Sequence, residues 1–266
     1  MILRNSNQEK NSRIPQRVRN ELRIRPVEVV GKQKIADRFY RIEFTGEALA
    51  GFTSLGFDDH TKVFFPDPDT GVLPLPAVTE QGVSWQDGVR PIGRDYTPLY
   101  FDGQRNSLTI DFYIHQGGVA SRWAAQAKTG DGLVVGGPRG SLVVPTDYAF
   151  QLYVCDESGL PAFKRRLPDI QAEHIKLFAF TDEAIGLAYL DDLSGVEVSW
   201  LGSGNMQPDN LTRLIETLDN TYLPDEDYFI WLTGEGDAVK ALSDYFIVQR
   251  ERDADFVRAV AYWHQK

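Results

Sequence analysis

Short runs of alternating apolar and polar residues, closed by glycine or proline, occupy the chain between residues 22 and 144. A period of two is typical of β-strands that bury one face and expose the other. The predicted strands are 22–30, 38–45, 61–65, 97–101, 108–115 and 133–136. Residues 66–91, where proline and glycine recur closely, are predicted to form an irregular excursion. Six antiparallel strands joined by such turns predict a small closed β-barrel domain over residues 22–147.

The pattern changes near residue 149, where short continuous apolar runs begin to alternate with helix-like segments. The predicted strands are 152–155, 175–180, 196–201, 228–232 and 257–262, and the predicted helices are 161–167, 210–218 and 238–249. This alternation predicts right-handed crossovers, and therefore an α/β domain over residues 148–266 with a doubly wound, mostly parallel sheet. Such sheets bind ligands, nucleotides among them, beyond the carboxyl ends of their strands.

Charge and cysteine content narrow the class of protein. The formal net charge of −10 argues against a nucleic-acid-binding protein, because phosphate contacts need a basic surface. The single cysteine, Cys155, excludes an intrachain disulfide and an all-cysteine metal cluster. No apolar run approaches the roughly 18 residues of a membrane span, and the N-terminus lacks the apolar core of a secretory signal. We expect a cytoplasmic protein without membrane contact, and we expect it to be a monomer.

Residues 1–21 differ from the rest of this acidic chain. They are rich in arginine and almost without an apolar pattern, which is typical of a solvated segment. The composition predicts a basic, flexible tail. An organelle presequence and a docking arm are the alternatives.

The candidate chemistry begins at the run Arg-Asp-Tyr-Thr, residues 94–97, and continues to the glycines at 117 and 118. Residues 120–128 are predicted to form a helix with Ser121 as its N-cap. Glycines such as Gly118 let a phosphate approach the free N–H groups of a helix's first turn, where the helix dipole favours negative charge. Arg94 could supply the countercharge, because arginine binds phosphate in a bidentate geometry. Arg94 could equally be an ordinary surface arginine.

Two aromatic side chains are candidates for contact with a flat ring system. In the strand 108–115 the apolar residues share one face, so His115 must point to the other face. Tyr96 lies outside the apolar stripe of its own segment. Either side chain alone is more often structural, but an arginine, a tyrosine, a threonine, a histidine and a helix start within thirty residues indicate a flavin site.

An ordered set of motifs resembles the siderophore-interacting proteins, which are FAD-dependent ferric-siderophore reductases of the ferredoxin-reductase-like superfamily. The motifs are Arg-Asp-Tyr-Thr at 94–97, Asp-Phe-Tyr-Ile-His at 111–115, Ala-Ser-Arg-Trp-Ala at 120–124, Gly-Pro-Arg-Gly-Ser at 137–141, Asp-Glu-Ser-Gly-Leu-Pro-Ala at 156–162, Trp-Leu-Thr-Gly-Glu at 231–235 and Val-Arg-Ala-Val-Ala-Tyr-Trp at 257–263. The resemblance runs from about residue 22 to residue 263. It implies a six-stranded FAD-binding barrel followed by a nicotinamide-type α/β domain.

The resemblance also implies roles for individual residues. Arg94 is expected to bind the FAD pyrophosphate, Tyr96 to pack on the isoalloxazine ring and Thr97 to hydrogen-bond the flavin. The other expected cofactor contacts are His115, Gly118, Ala120, Ser121 and Trp123 for FAD, and Asp156 and Glu235 for a nicotinamide cofactor. The sequence departs from the family pattern at Leu99, where a second arginine is common, at Val119, where proline is usual, and in a short loop after His115.

The expected substrate is a ferric siderophore, and the residues expected to contact it are basic. Lys62, Arg139 and Arg258 match family positions that resemble a basic cluster, which would attract an anionic iron complex. Each could instead be a solvated or ion-paired surface residue. His60 is expected as a polar pocket residue and not as an iron ligand, because no second ligand lies at a suitable spacing.

The resemblance predicts transfer of single electrons from FAD to iron(III), with release of iron(II). The electron donor stays open between NADPH, NADH and a ferredoxin, because residues 202–205 lack the basic side chain that a 2′-phosphate needs. Trp263 could stack near the flavin or close the last strand. A non-catalytic carrier of siderophore or flavin and a general flavin reductase remain as alternative functions.

Overall fold

The computed structural model describes residues 13–74, 76–79, 82–85, 91–204, 206–207 and 210–265. These residues form two compact units. One spans Arg17–Val143, and the other combines Val144 and the residues after it with Gln16 and the described residues before it. The division falls close to the predicted domain boundary after residue 147.

The first unit is built from antiparallel strands and one helix. Its strands are β1 (Gln16–Arg19), β2 (Ile24–Ile35), β3 (Phe39–Thr45), β4 (Thr61–Phe65), β5 (Pro76–Thr79), β6 (Gly82–Trp85), β7 (Ile92–Tyr96), β8 (Pro98–Asp102), β9 (Ser107–Tyr113), β10 (Gly132–Gly136) and β11 (Gly140–Val143). A 3₁₀ turn spans Glu47–Leu49, and helix α1 spans Val119–Gln126.

Seven of these strands form one sheet in the order β7-β4-β10-β2-β3-β9-β8. The two edge strands, β7 and β8, are consecutive in the chain and are separated only by Thr97. A single residue cannot bridge the width of a flat sheet, since it spans at most about 3.6 Å, so the sheet must curl until the end of β7 and the start of β8 lie next to each other. The predicted barrel class is confirmed, with seven strands in place of six because the chain changes edges at Thr97.

The interior of this rolled sheet is apolar. Along β2 the side chains of Val27 and Val29 are buried while their neighbours are exposed, as a period of two requires. They join a core that includes Phe44, Phe65 and Phe112. Helix α1 covers this core through Ala120 and Ala124, which are buried.

Two parts of the antiparallel unit differ from the predictions. The predicted irregular excursion at 66–91 contains a two-stranded sheet, β5 with β6. The predicted flexible tail at 1–21 contains β1, which pairs with β11. Before β1, the Arg13 guanidinium forms ion pairs with Asp147 and Asp227. Residues 13–21 are therefore held by pairing that composition does not predict, and residues 1–12 lie outside the described chain.

The second unit is a five-stranded parallel sheet with helices. Its strands are β12 (Phe150–Asp156), β13 (His174–Phe180), β14 (Val196–Trp200), β15 (Tyr228–Glu235) and β16 (Val257–Trp263). Its α-helices are α2 (Leu160–Arg166), α3 (Glu183–Tyr189), α4 (Leu211–Asp219) and α5 (Gly236–Asp244). Short 3₁₀ turns span Leu167–Asp169 and Ala254–Phe256, and a π-helical turn spans Tyr245–Gln249.

The strand order of the second unit is β14-β13-β12-β15-β16, and every pairing is parallel. Every residue of β12 and β15 is buried, because both strands have neighbours on each side and helices cover such sheets. After β12 the chain adds β13 and β14 on one side of it. It then crosses to the other side of β12, where it adds β15 and β16. This confirms the predicted doubly wound sheet and brings the carboxyl ends of the strands to one edge.

Within the described residues, no helix combines the length and the apolarity that crossing a membrane requires.

Candidate functional site

The Arg94 guanidinium lies near the end of β7, is exposed, and has no acidic partner in the described chain. Its Nη1 donates to the carbonyl oxygen of Gly93 at 2.8 Å. The neighbouring Asp95 is already paired, since its carboxylate lies 2.8 Å from Nζ of Lys62 on β4. Arg94 therefore keeps an uncompensated charge and most of its donors for an anionic ligand.

Tyr96 and Thr97 lie where the chain passes from edge strand β7 to edge strand β8, a junction that we call the seam. The Tyr96 ring packs on Phe112 at a centroid distance of 4.6 Å, and burial raises the pKa of its phenol, which stays protonated at neutral pH. Within the described residues, neither the Tyr96 hydroxyl nor the hydroxyl of the buried Thr97 has a hydrogen-bond partner. The seam thus offers two unused hydroxyl groups beside Arg94.

Helix α1 begins where two glycines meet the end of β9. Gly118 is the N-cap residue, with extended backbone, and Gly117 has a φ of +78°, which favours glycine. A Cβ atom on Gly118 would lie 2.6 Å from Cε1 of His115, so only glycine allows the histidine ring to lie there. The N–H groups of residues 119–121 belong to the first turn, where backbone donors have no partner within the helix.

Ser121 is not the N-cap of this helix, so that prediction is wrong. The helix begins at Val119, because Gly118 supplies the extended backbone that a cap needs. The Ser121 hydroxyl accepts the backbone N–H of His115 at 3.1 Å and donates to the carbonyl of Tyr113 at 3.3 Å. This buried side chain ties the helix to the end of β9, which stops at Tyr113 and leaves the His115 ring exposed.

Trp123 and Ala120 contribute to the core of the antiparallel unit. The Trp123 indole stacks on Phe44 and meets Phe65 and Phe112 at centroid distances of 5.7 and 5.9 Å. Ala120 is 3% exposed. The side chains of both residues therefore cover the barrel. The backbone N–H of Ala120 lies among the free donors of the first turn, and that of Trp123 does not.

These groups fit FAD. A pyrophosphate needs a fixed cation and backbone donors, which Arg94 and the first turn of α1 supply. A flat polar ring needs an aromatic surface and hydrogen-bonding groups at its edge, which Tyr96 and Thr97 supply. The fit rests on side chains left without partners in one small region, while the neighbouring Lys62 and Ser121 are already engaged.

The residues predicted to contact the substrate differ in whether an ion pair already neutralises their charge. Lys62 is paired with Asp95, whereas Arg139 is exposed and has no carboxylate partner in the described chain. His60 is exposed, and the described residues hold no group of three or more potential metal ligands. Arg258 lies in the other unit, half-buried on β16.

In the α/β unit, Asp156 ends β12 and holds the C-terminal strand. Its buried carboxylate accepts the indole N–H of Trp263 at 2.6 Å and the backbone N–H of Ser158 at 2.9 Å. Burial raises the pKa of Asp156, although these hydrogen bonds oppose the shift. Trp263 is therefore anchored to the sheet by a contact that its position in the sequence did not indicate.

Glu235 is the N-cap of helix α5, a role that the sequence analysis missed. Its carboxylate accepts the backbone N–H groups of Asp237 and Ala238 at 2.8 and 2.9 Å. Burial acts to raise the pKa of Glu235, but the N–H donors, including that of Gln265, bring it below its usual value. A carboxylate engaged in this way has little capacity left for the predicted cofactor contact; a Gly-Glu-Gly turn after a buried strand was the signal for a cap.

Four loops, at the carboxyl ends of strands β12 to β15, contain no lysine or arginine. They are residues 156–159, 181–182, 202–204 and 233–236. Asp182 and Ser203 join two of them, because each backbone N–H donates to the other's side chain, at 3.0 and 2.9 Å. This edge has the position of a dinucleotide site, and these four loops supply no cation for an extra phosphate.

The fold and the flavin-type site define a ferredoxin-reductase-like flavoprotein. The ferredoxin reductase in carbazole 1,9a-dioxygenase shares this fold, with a TM-score of 0.63 at 17% identity over 92% of this chain and 70% of that one. Family models match residues 28–142 as a siderophore-interacting FAD-binding domain and residues 148–266 as a siderophore-interacting protein. The chain belongs to the siderophore-interacting protein family.

Individual relatives support this assignment along nearly the whole chain. The NADPH-dependent ferric-chelate reductase of Escherichia coli is 52% identical over 96% of this chain and 98% of its own. The ferric vibriobactin reductase ViuB of Vibrio cholerae is 30% identical over 90% of this chain and 89% of its own. The crystal structure of a siderophore utilization protein from T. fusca has a TM-score of 0.82 at 32% identity, covering 94% of this chain and 96% of that one.

Proposed function

We propose that this protein is an FAD-dependent reductase that passes electrons from a nicotinamide dinucleotide to the iron of a ferric siderophore or a related ferric chelate. The observation that carries the proposal is the free Arg94 guanidinium beside the unpartnered hydroxyls of Tyr96 and Thr97. Its family, and the names of its E. coli and V. cholerae relatives, give the same reaction class.

In this proposal the residues of the antiparallel unit hold FAD and do no acid–base chemistry. Arg94 and the free N–H groups at the start of α1 hold the pyrophosphate, while Tyr96, Thr97 and His115 face the ring system. When bound, FAD supplies the ability to take up two electrons together and release them singly. Gly118 keeps the helix start open to the phosphates, because any larger residue would meet His115.

The α/β unit is assigned to the electron donor. Its strand ends form the edge at which dinucleotides bind in this sheet type, and there Trp263 donates a hydrogen bond to Asp156. The E. coli relative is named for NADPH. Because the edge loops of this chain lack lysine and arginine, NADH and a ferredoxin are kept as donors to be tested.

The substrate contacts are assigned to Arg139, Arg258 and His60, and to Lys62 when its exposed ion pair with Asp95 opens. A positive side chain near an anionic ferric complex raises its local concentration and its association rate. Hard oxygen ligands hold iron(III) far more tightly than iron(II), so reduction loosens the complex. We further propose that the protein acts as a monomer in the cytoplasm.

The test is a visible spectrum of the purified protein, followed by anaerobic addition of NADPH, NADH or reduced ferredoxin and then of a ferric siderophore. We expect a flavin spectrum that bleaches with one donor and returns as an iron(II) chelator develops colour. A colourless protein that binds siderophore but not added FAD would instead establish the carrier. Flavin that dissociates in its reduced form, and reduces iron equally well without the protein, would establish the general flavin reductase.

A further inference from the structure

A cavity opens in the antiparallel unit where β1 and the start of β2 meet the turn after β10. Three segments line it: residues 18–25, with Arg19, Glu21 and Arg25, the loop residues Gly51, Thr53 and Leu55, and the turn residues Gly137 and Pro138. Backbone hydrogen bonds build this junction, from the N–H of Gly137 to the carbonyl of Arg23 at 3.1 Å and from the N–H of Asn20 to the carbonyl of Arg139 at 3.0 Å. Paired backbone thus forms two of the three segments that line the cavity.

Arg25 lies in the wall of this cavity with its guanidinium 5.3 Å from the centroid of the Phe52 ring, and no carboxylate of the described chain lies within ion-pair distance of it. The residue is 2% exposed, and its Nη1 donates to the carbonyl oxygens of Gly137 at 3.1 Å and Arg23 at 3.3 Å. Its Nε is buried and has no hydrogen-bond partner. Within the described chain no group accepts a hydrogen bond from Nη2 either. A buried cation is costly unless it is paired, so this arrangement calls for an anion.

A second arginine of the same unit shows how the Nε and Nη2 groups of a guanidinium together bind a carboxylate. Arg41 donates from Nε to one oxygen of Asp111 at 2.8 Å and from Nη2 to the other at 2.7 Å. In Arg25 the same two nitrogens are unused. Bidentate binding through them is the strong geometry that arginine forms with carboxylates and phosphates.

The charges around the cavity are not balanced by the protein itself. Glu21 lies 2.8 Å from Arg23, and Lys62 is paired with Asp95, so each of these acids already has a cation. Arg19 and Arg139 are exposed, and neither has a carboxylate partner among the residues that the structure describes. In a chain with a net charge of −10, uncompensated positive charge collects at this cavity.

We propose that this cavity is a binding site for a carboxylate or phosphate group, held by the guanidinium of Arg25 and by Arg19. The site belongs to the same sheet as the flavin-type site. Arg25 and Arg94 lie in one row through Val135 and Val63, three strand spacings apart, or about 14 Å. The consequence for the substrate rests on the proposed function: if the protein reduces ferric chelates, this site favours anionic chelates over neutral ones.

Binding is measured by calorimetry on the full-length protein with malonate and with inorganic phosphate, which separates the two ligand classes. We expect saturable binding of at least one of them. Arg25→Lys keeps the charge but loses the planar edge, and it should weaken binding about tenfold, the equivalent of one charge-assisted hydrogen bond. Arg19→Gln should weaken it severalfold. Arg38→Lys and Arg38→Gln, at an exposed arginine in the β2–β3 turn, are the matched controls and should bind like the wild type.

The absence of saturable binding of both ligands to the wild type would overturn the proposal. So would Arg25→Lys and Arg19→Gln proteins that bind as tightly as the wild type. Because Arg25 is buried and its variant could unfold, Arg19→Gln and a thermal unfolding curve of each variant keep the result decisive. Malonate binding does not depend on flavin or iron, so a protein that binds malonate but reduces no ferric chelate would refute the proposed function and leave this site standing.

Discussion

Replacing Arg94 by glutamine tests the flavin site with little disturbance of the fold. The Arg94 side chain is exposed and donates only to the adjacent Gly93 carbonyl. Its loss should therefore change the free energy of unfolding by less than about 0.5 kcal/mol. A hydrogen bond to a charged group contributes about 1.5–3 kcal/mol. Losing one such contact with a pyrophosphate should raise the FAD dissociation constant roughly 10- to 150-fold.

The assay is a fluorescence titration of flavin-free protein with FAD, beside urea unfolding of the same samples. Arg94→Lys retains the charge but not the planar donor pair, so it should fall between the wild type and Arg94→Gln. Arg105→Gln removes an exposed arginine in the β8–β9 turn, at the opposite end of β9 from His115, and should leave FAD affinity unchanged. An Arg94→Gln protein that binds FAD within threefold of the wild type would refute the assignment of Arg94 to the pyrophosphate. If Arg105→Gln lost as much affinity as Arg94→Gln, the effect would be explained by net charge and not by a contact of Arg94 with FAD.

Three further predictions concern groups that the structure shows to be engaged. Ser121→Ala removes the hydroxyl between His115 and Tyr113 and should lower the free energy of unfolding by about 1–3 kcal/mol. Urea unfolding measures this free energy, with Arg122→Ala, at an exposed residue, as the control. A Ser121→Ala protein that loses no more stability than Arg122→Ala would contradict the prediction. Glu235→Gln weakens the cap of α5 and should cost about 1 kcal/mol near neutral pH. Because hydrogen bonding lowers the native pKa of Glu235, the stability difference between wild type and Glu235→Gln should shrink as the pH falls through that pKa. If the urea midpoints of the two proteins differ as much at low pH as at neutral pH, the ionised cap is not the cause. Because burial raises the native pKa of Asp156, the native state binds the proton more tightly than the unfolded chain, so stability should fall as the pH rises from about 4 towards that pKa. Asp156→Asn should reduce this slope in urea midpoints measured between pH 4 and 7.5, and an unchanged slope would exclude Asp156 as its source.

The strands of the parallel sheet were predictable to within a few residues. Strand β13, predicted at 175–180, spans His174–Phe180, and β14, predicted at 196–201, spans Val196–Trp200. Strands buried on both faces read as continuous apolar runs, and that signal lies entirely in the local sequence. The helix Glu183–Tyr189 was missed because it is short and is supported by tertiary packing, with Gly186 lying directly against the Trp200 ring.

The change of sheet edge at Thr97 could not be predicted from the pattern of residues. The sequence at 92–101 is compatible with one strand or two, and the prediction began a single strand at residue 97. Which occurs depends on the partners, because β7 pairs with β4 and β8 pairs with β9. The partner of β8 follows it directly in a hairpin, whereas the partner of β7 lies about thirty residues earlier in the chain. No local period therefore encodes the break between Tyr96 and Thr97.

The sequence by itself determined the two-part architecture, the family and the residues around which a flavin site is built, because periodicity and motif order are local properties of the chain. The tertiary structure decided which of those residues are free to bind a ligand. Arg94 has no carboxylate partner in the described chain, while Lys62 is paired with Asp95, Ser121 joins a helix to a strand, and Glu235 caps a helix. The physical reason is that a polar group's availability depends on the atoms that folding brings within about 3 Å of it, and for Lys62 those atoms lie on another strand.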